Sequence, residues 1–268
     1  HSIPLYFPCK CINFINIDVL YLQLYMKIVK LDAIDSTNSY LRNLVKRTNV
    51  ENGTVVTSEF QTKGRGLNDN KWNSEKGKNL TFSVLIKFDD FNIANQYFLN
   101  YCIAIALYNV LKYYIPNKLF VKWPNDIMSE GNKICGILTE CVVKNSKVSY
   151  AIVGVGLNVN QDIFPKNINK VTSIKKRLNT AIDREELLQK ILIEIQYQLI
   201  AIKKKEFVKL KDDYESVLYK KGIPSMFKDK NNTKFLGRII GTSVKGNLLI
   251  ELENEMVKEF GLKEIKFI

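Results

Sequence analysis

Two glycines flank an arginine at Gly64-Arg65-Gly66, within a stretch, Gln61–Trp72, that has neither helical nor strand periodicity. Glycine lets a backbone approach a ligand closely, and a guanidinium between two glycines suits a phosphate or a carboxylate. Trp72 closes the stretch, and a large aromatic in a polar loop has reason to be there when it docks onto something. A plain surface hairpin loop is the competing reading. Three further clusters could carry chemistry. Asp35-Ser36-Thr37-Asn38 brings hydroxyls and an amide to a helix start, as a simple N-cap or as binders of a polar ligand head. Lys122-Trp123-Pro124-Asn125-Asp126 must end a strand, because proline cannot sit in mid-sheet; Lys, Asn and Asp then project from the strand end, in a turn or against a ligand. Lys133 leads the strand that follows. Gly154 and Gly156 interrupt the β-branched run Val153–Val159, which marks a bulge or a close backbone approach. That run lacks the third glycine and following helix of a dinucleotide fingerprint, and no glycine-rich run ends in Gly-Lys-Ser/Thr.

Composition narrows the chemistry. The only histidine is His1, which argues against serine–histidine or cysteine–histidine catalysis. Five cysteines, Cys9, Cys11, Cys102, Cys135 and Cys141, are odd in number and lack framework spacing, so no disulfide-built fold is expected. The net charge is +13, but its lysines are dispersed, and abundant Lys, Asn and Ile fit a nucleotide-biased genome better than a nucleic-acid stripe. The chain has 268 residues, 46% of them hydrophobic, enough for one substantial domain and a small one.

These clusters need a scaffold. Residues 1–25 are too short and too polar for a membrane span, carry no clear secretory pattern, and are expected to lie outside the fold, with Met26 as the natural start. Strands are expected from Met26, at Thr54–Phe60, Leu80–Phe88, Leu119–Trp123, Ile134–Val143 and Val148–Val159. Helices are expected after Asn38 and at Ile93–Tyr114. Another begins at Asp183 with a capping box completed by Glu186, runs to about Ile202 and continues as a helical stretch to Tyr219. From Gly222 short strands take over, at Lys234–Gly241, Asn247–Leu252, Glu255–Phe260 and Ile265–Ile268, with a hairpin turn at Lys245-Gly246-Asn247. The expected division is therefore an extension (1–25), an α/β domain (26–221) and a small β-barrel (222–268).

Taken in order, Gly64-Arg65-Gly66 with Trp72, then Lys122-Trp123-Pro124-Asn125-Asp126, then Lys133-Ile134-Cys135-Gly136-Ile137-Leu138, then Gly154-Val155-Gly156-Leu157-Asn158-Val159 resembles the biotin protein ligases over residues 27–268. The resemblance implies an α+β fold: a mixed sheet with helices packed against it, of the class II aminoacyl-tRNA synthetase/biotin ligase type, then a C-terminal SH3-like barrel. It implies that biotin and ATP are joined to biotinyl-5′-AMP and that biotin then passes to one lysine of a biotin carboxyl carrier protein, expected to belong to an acetyl- or other acyl-CoA carboxylase. Mg²⁺ would accompany ATP. By the same likeness Lys133, Arg65 and Asp126 are the catalytic candidates. Ser36, Thr37, Asn38, Gln61, Gly64, Arg65, Gly66, Lys133, Gly136 and Gly154 would bind biotin. Arg65, Gly66, Leu67, Trp72, Lys122, Asn125, Asp126 and Asn158 would face the nucleotide. Asp126 would hold the metal or assist the acceptor amine, and the sequence does not choose between these.

Two departures bear on function. Leu67 stands where some members carry a second arginine, so a looser hold on the adenylate is expected. Only about 25 residues precede the first strand, without helix-turn-helix patterning, so a cytoplasmic ligase without repressor function, DNA partner or membrane partner is expected. A lipoate ligase or octanoyl transferase is the nearest rival, but Cys135 and Cys141 fall within a strand and Lys122–Asp126 points to biotin. A nucleic-acid-binding protein, suggested by the charge and the small barrel, is the rival of another class.

Overall fold

The computed structural model of the protein describes residues 26–67, 70–165 and 168–268. The expectation for residues 1–25 lies outside them. Among the described residues, one seven-stranded sheet dominates, in the order β1-β2-β3-β7-β6-β5-β4. Its strands are β1 (Ile28–Ile34), β2 (Val55–Gln61), β3 (Leu80–Lys87), β4 (Leu119–Lys122), β5 (Asp126–Ser129), β6 (Asn132–Lys144) and β7 (Lys147–Leu157). Only β1 and β2 pair in parallel, joined through helix α1 (Thr37–Arg47) as a parallel pair requires; the other neighbours are antiparallel. The sheet is thus mixed, as expected.

Both faces of the sheet are covered, which is why β3 is buried through Ile86. On one face Phe82, Val84 and Ile86 meet the main core under α2 (Tyr97–Tyr114) and α4 (Arg184–Lys203). On the other, Leu85 of β3, Val56 of β2 and Ile152 of β7 meet Leu41 of α1. The alternation along β3 puts Ser83 on the α1 side too, two residues from Leu85. Asp183 caps α4 by accepting from the Glu185 and Glu186 amides. The expected capping box is only half realised, because the Glu186 side chain pairs with Lys190.

The helix expected over Ile93–Tyr114 divides into a 3-10 turn, Ile93–Asn95, and α2, and three short elements escaped the sequence reading: β5, β8 (Pro224–Asp229) and the five-residue α3 (Ile174–Leu178). Each is too short to display a period. After α5 (Phe207–Ser216) the chain forms an antiparallel sheet ordered β11-β10-β9-β8-β12, with β9 (Lys234–Thr242), β10 (Leu248–Leu252), β11 (Val257–Phe260) and β12 (Ile265–Phe267). Its outermost strands, β11 and β12, do not pair with each other, so no hydrogen-bonded barrel closes among the described residues. No helix there is long and apolar enough to cross a membrane.

Candidate active site

The sheet register builds the site floor. One cross-strand row runs Ser83, Gly154, Leu138 over β3, β7 and β6. The next runs Thr81, Gly156, Gly136, Asp126, Lys122 over β3, β7, β6, β5 and β4. Two adjacent glycines in that second row leave a trough without side chains. Trp72 lies in it: a Cβ on Gly156 would fall 2.3 Å from the indole ring, and one on Gly136 3.4 Å from it. Above this floor is a cavity of about 150 Å³.

The Gly64–Trp72 segment is a small hairpin rather than structureless chain. Gly66 donates its amide to Asn70 O at 2.6 Å, Trp72 to Gly64 O at 3.0 Å, and Arg65 bridges Lys71. Gly64 is required by the loop itself, since a Cβ there would lie 2.4 Å from Trp72 O. Gly64 does not line the cavity, whereas Arg65, Gly66, Leu67 and Trp72 do. The indole Nε1 is buried with no acceptor among the described residues. The Arg65 guanidinium is not directed freely at the cavity: it pairs with Glu140 at 2.7 Å.

Ser36, Thr37 and Asn38, all buried, form the start of α1 and the cavity wall. Ser36 is the N-cap, accepting from the Ser39 amide. Thr37 donates its amide to Gln61 Oε1 at 2.8 Å, joining two expected site residues. Ser83 Oγ lies 2.7 Å from Thr37 Oγ1 and 2.5 Å from Asn38 Oδ1. Asn38 Nδ2 donates to Glu140 Oε2 at 2.9 Å and to Leu138 O at 3.3 Å. Its amide is therefore fully engaged by protein, and it shapes the wall rather than offering a free donor. Gly154 serves the same contact, since a Cβ would fall 2.4 Å from Asn38 Oδ1.

At the opposite end, Lys133 Nζ sits 2.6 Å from Asp126 Oδ1, an ion pair not aligned as a hydrogen bond. Lys133 Nζ is also 5.7 Å from the Trp72 ring centre. Asn125, in the three-residue β4–β5 turn with a cis Trp123–Pro124 bond, clasps β6: its Nδ2 donates to Ile137 O at 2.6 Å, and its carbonyl accepts from the Ile137 amide. Asp126 and Lys133 also line a second recess of about 300 Å³, with Lys122, Lys170, Lys220 and Phe267. Burial, with the nearby charges of Lys133, Lys170 and Lys220, holds Lys122 below the usual lysine range against the pull of Asp126. Lys122 thus faces this recess and not the 150 Å³ cavity.

Asn158 stands apart from the other expected site residues. It lines neither space and is 2% exposed; its Nδ2 donates to Thr172 O and its amide to Ile134 O. It braces the start of β6, where Lys133 sits. The metal expectation for Asp126 rests on a single carboxylate. Among the described residues Asp126 is the single carboxylate lining the 150 Å³ cavity, it pairs with Lys133, and no group of three His, Cys, Asp or Glu gathers. That donor set makes no all-protein magnesium cage, but one carboxylate fits a magnesium ion shared with substrate phosphates. Burial pushes the Cys102 and Cys135 thiols far up and Cys141 to about 11, so none is poised as a nucleophile. The sequence reading missed Glu140, Ser83 and Phe82, of which only Glu140, a lone carboxylate in the mostly apolar run Ile134–Val143, gave a signal; Gly156 reads in sequence as a close backbone approach without a site role.

Residues 31–158 match the biotin/lipoate A/B protein ligase family. The bifunctional ligase/repressor BirA of Bacillus subtilis is 30% identical over 239 residues, which span 88% of this chain and 72% of that protein. The biotin--[acetyl-CoA-carboxylase] ligase of Mycobacterium tuberculosis is 28% identical over 64% of each. The structure of the Aquifex aeolicus biotin protein ligase in complex with biotin and ATP superimposes with a TM-score of 0.74 at 30% identity, covering 90% of this chain and 98% of that one. The chain belongs to the biotin protein ligases of that family.

Proposed function

We propose that the protein joins biotin to ATP, releases pyrophosphate, and passes the biotinyl group to a lysine of a biotin carboxyl carrier protein, in the cytoplasm. The observation that carries this reading is the position of Lys133 and Asp126, on the shared border of the two recesses. Biotin would lie in the 150 Å³ cavity, its polar head toward Ser36, Thr37 and Gln61 and its carboxylate toward Lys133. The phosphates of ATP, with the magnesium they carry as part of that substrate, would extend toward Lys122, Lys170 and Lys220. The biotin carboxylate attacks the α-phosphorus and the bond to the pyrophosphate oxygen breaks. Both reactants are anionic, so lysine charge at the junction lowers their repulsion and aligns them. The acceptor lysine, as a neutral amine, then attacks the acyl carbon and AMP leaves. Asp126 is suited to receiving or steering that amine.

Trp72, with its unpartnered Nε1 in the glycine trough, is suited to covering the nucleotide side as the loop moves over the adenylate. Residues 26–221 would form the catalytic unit, and residues 222–268 an SH3-like unit set against it. These residues support the ligase activity of the bifunctional relatives, not DNA binding. A cysteine-based acyl transfer, the rival chemistry, is disfavoured by the burial of Cys135. Biotin-dependent exchange of labelled pyrophosphate into ATP tests the reading, with Lys133→Ala as control and lipoate as competing acid. Exchange with biotin, lost in the variant, supports it; exchange with lipoate alone, or with neither acid, overturns it.

A further inference from the structure

Glu140 is the one carboxylate of β6, set within its mostly apolar middle, and it lines neither recess. It nevertheless meets three elements of the site. Oε2 accepts from Arg65 of the loop at 2.7 Å and from Asn38 of α1 at 2.9 Å, while Oε1 pairs with Arg42, one turn along α1, at 2.7 Å. The side chain is 18% exposed, against 41% for Arg65 and 36% for Arg42, so the fixed member of the cluster is the carboxylate. Its place follows from register: Glu140 opposes Ile152 of β7, beside the row Ser83, Gly154, Leu138 on which Asn38 rests.

We propose that Glu140 is a positioning residue for biotin adenylation. It anchors the Gly64–Trp72 hairpin through the Arg65 guanidinium and orients the Asn38 amide, so the walls of the biotin cavity are set before the substrate enters. This rests on the biotin ligase reading. Arg65 therefore acts mainly as a strut, and Lys133 is left as the cation that faces the biotin carboxylate. Two guanidinium groups against one carboxylate leave a net charge of +1 beside the cavity, so the anchor does not repel an anionic substrate. A strut also accounts for an arginine between two glycines: Gly64 and Gly66 form the tight hairpin, and the side chain between them has to hold it down.

The test uses Glu140→Gln, Arg65→Gln and the double variant in biotin-dependent pyrophosphate exchange, with thermal melting as the folding control. Each single variant should raise the KM for biotin about tenfold while the KM for ATP changes less than about twofold, and the double variant should be no worse than either single. Glu140→Asp should recover part of the loss. Trypsin cleavage after Lys63 or Lys71 should be faster in Glu140→Gln by about threefold or more, a readout independent of activity. A lower KM for biotin in Glu140→Gln would mean that Glu140 competes with substrate for Arg65, and multiplied effects in the double variant would mean that the two act separately; either overturns the proposal. An unchanged cleavage rate overturns the anchor. Faster cleavage in a protein whose wild type shows no exchange would instead keep the anchor and overturn the ligase reading.

Discussion

Trp123 donates its indole N–H to the carbonyl of Gly246 at 2.9 Å, which ties the Lys122–Asp126 motif to the turn between β9 and β10. Gly246 has a φ of +77°, and a Cβ there would fall 2.5 Å from the Tyr97 ring. Tyr97 OH also donates to Val244 O at 3.0 Å. The C-terminal sheet is thereby pinned to the strand end that presents Asn125 and Asp126. Trp123→Phe keeps an aromatic but removes the donor, and it should cost about 1 kcal/mol, a fall in Tm of a few degrees. A thermal scan checks this, and the KM for ATP in the exchange assay should rise alongside.

Gly154 and Gly156 should respond differently to the same added methyl group. In Gly154→Ala the new Cβ would crowd Asn38 Oδ1 at 2.4 Å. Asn38 cannot yield without breaking its bonds to Ser83, Leu138 and Glu140, so biotin affinity should fall by at least about tenfold by calorimetric titration. In Gly156→Ala the methyl would enter the Trp72 ring plane region at 2.3 Å and lift the indole from its trough. There the expected signature is a red-shifted Trp72 emission and a loop open to protease.

Lys133→Ala removes the lysine charge at the junction and leaves Asp126 without its ion pair. The adenylation rate in single-turnover measurements should fall by about 10²–10³, the usual size of losing one charge-stabilising donor. A loss below about fivefold would move the catalytic charge to Lys122 and its neighbours.

Leu67 lines the cavity but has no charge to offer an adenylate. Leu67→Arg should slow escape of biotinyl-5′-AMP in the absence of carrier. The check is the rate at which labelled adenylate passes a filter that retains the protein, and equal rates for both forms would show that position 67 does not govern retention.

Acid should loosen the C-terminal sheet first. Burial by itself raises the Glu215 carboxyl, but hydrogen bonds from Lys211 and Thr242 outweigh it and hold the group below its ordinary value of 4.5. Both the amide and the hydroxyl of Thr242 in β9 donate to it, at 2.7 and 2.8 Å. A depressed carboxylate contributes stability that is complete above its unfolded pKa and is lost as pH falls through its folded one. Tm should therefore hold above about pH 5 and decline below about pH 4.5, and Glu215→Gln should flatten that decline.

The large features could be read from the chain because each rests on a local signal. Long alternating or apolar runs set β2, β3, β6 and β7 within a residue or two, and Pro124 ended β4 as required. Thirteen of the sixteen expected site residues line one cavity, with Gly64, Lys122 and Asn158 the exceptions. What escaped depends on partners far apart in sequence: Asn38 and Glu140 are separated by 102 positions and meet only through strand register. The same cause explains why Asn38 and Gly154 read as ligand contacts, since nothing local shows that each is occupied by the other. Asn158 lies outside the cavity, and in sequence a polar residue at a strand end looks alike whether it faces a ligand or braces a neighbouring segment.

An enzyme that makes an acyl phosphate beside a lysine risks acylating itself. Lys133 borders the place where that anhydride would form, with a side chain long enough to reach it. The carboxylate 2.6 Å from its nitrogen holds that side chain in an ion pair. Removing only the acidic half of the pair, as in Asp126→Asn, frees that side chain and should leave a biotin label on Lys133 that mass spectrometry of the protein after turnover would find.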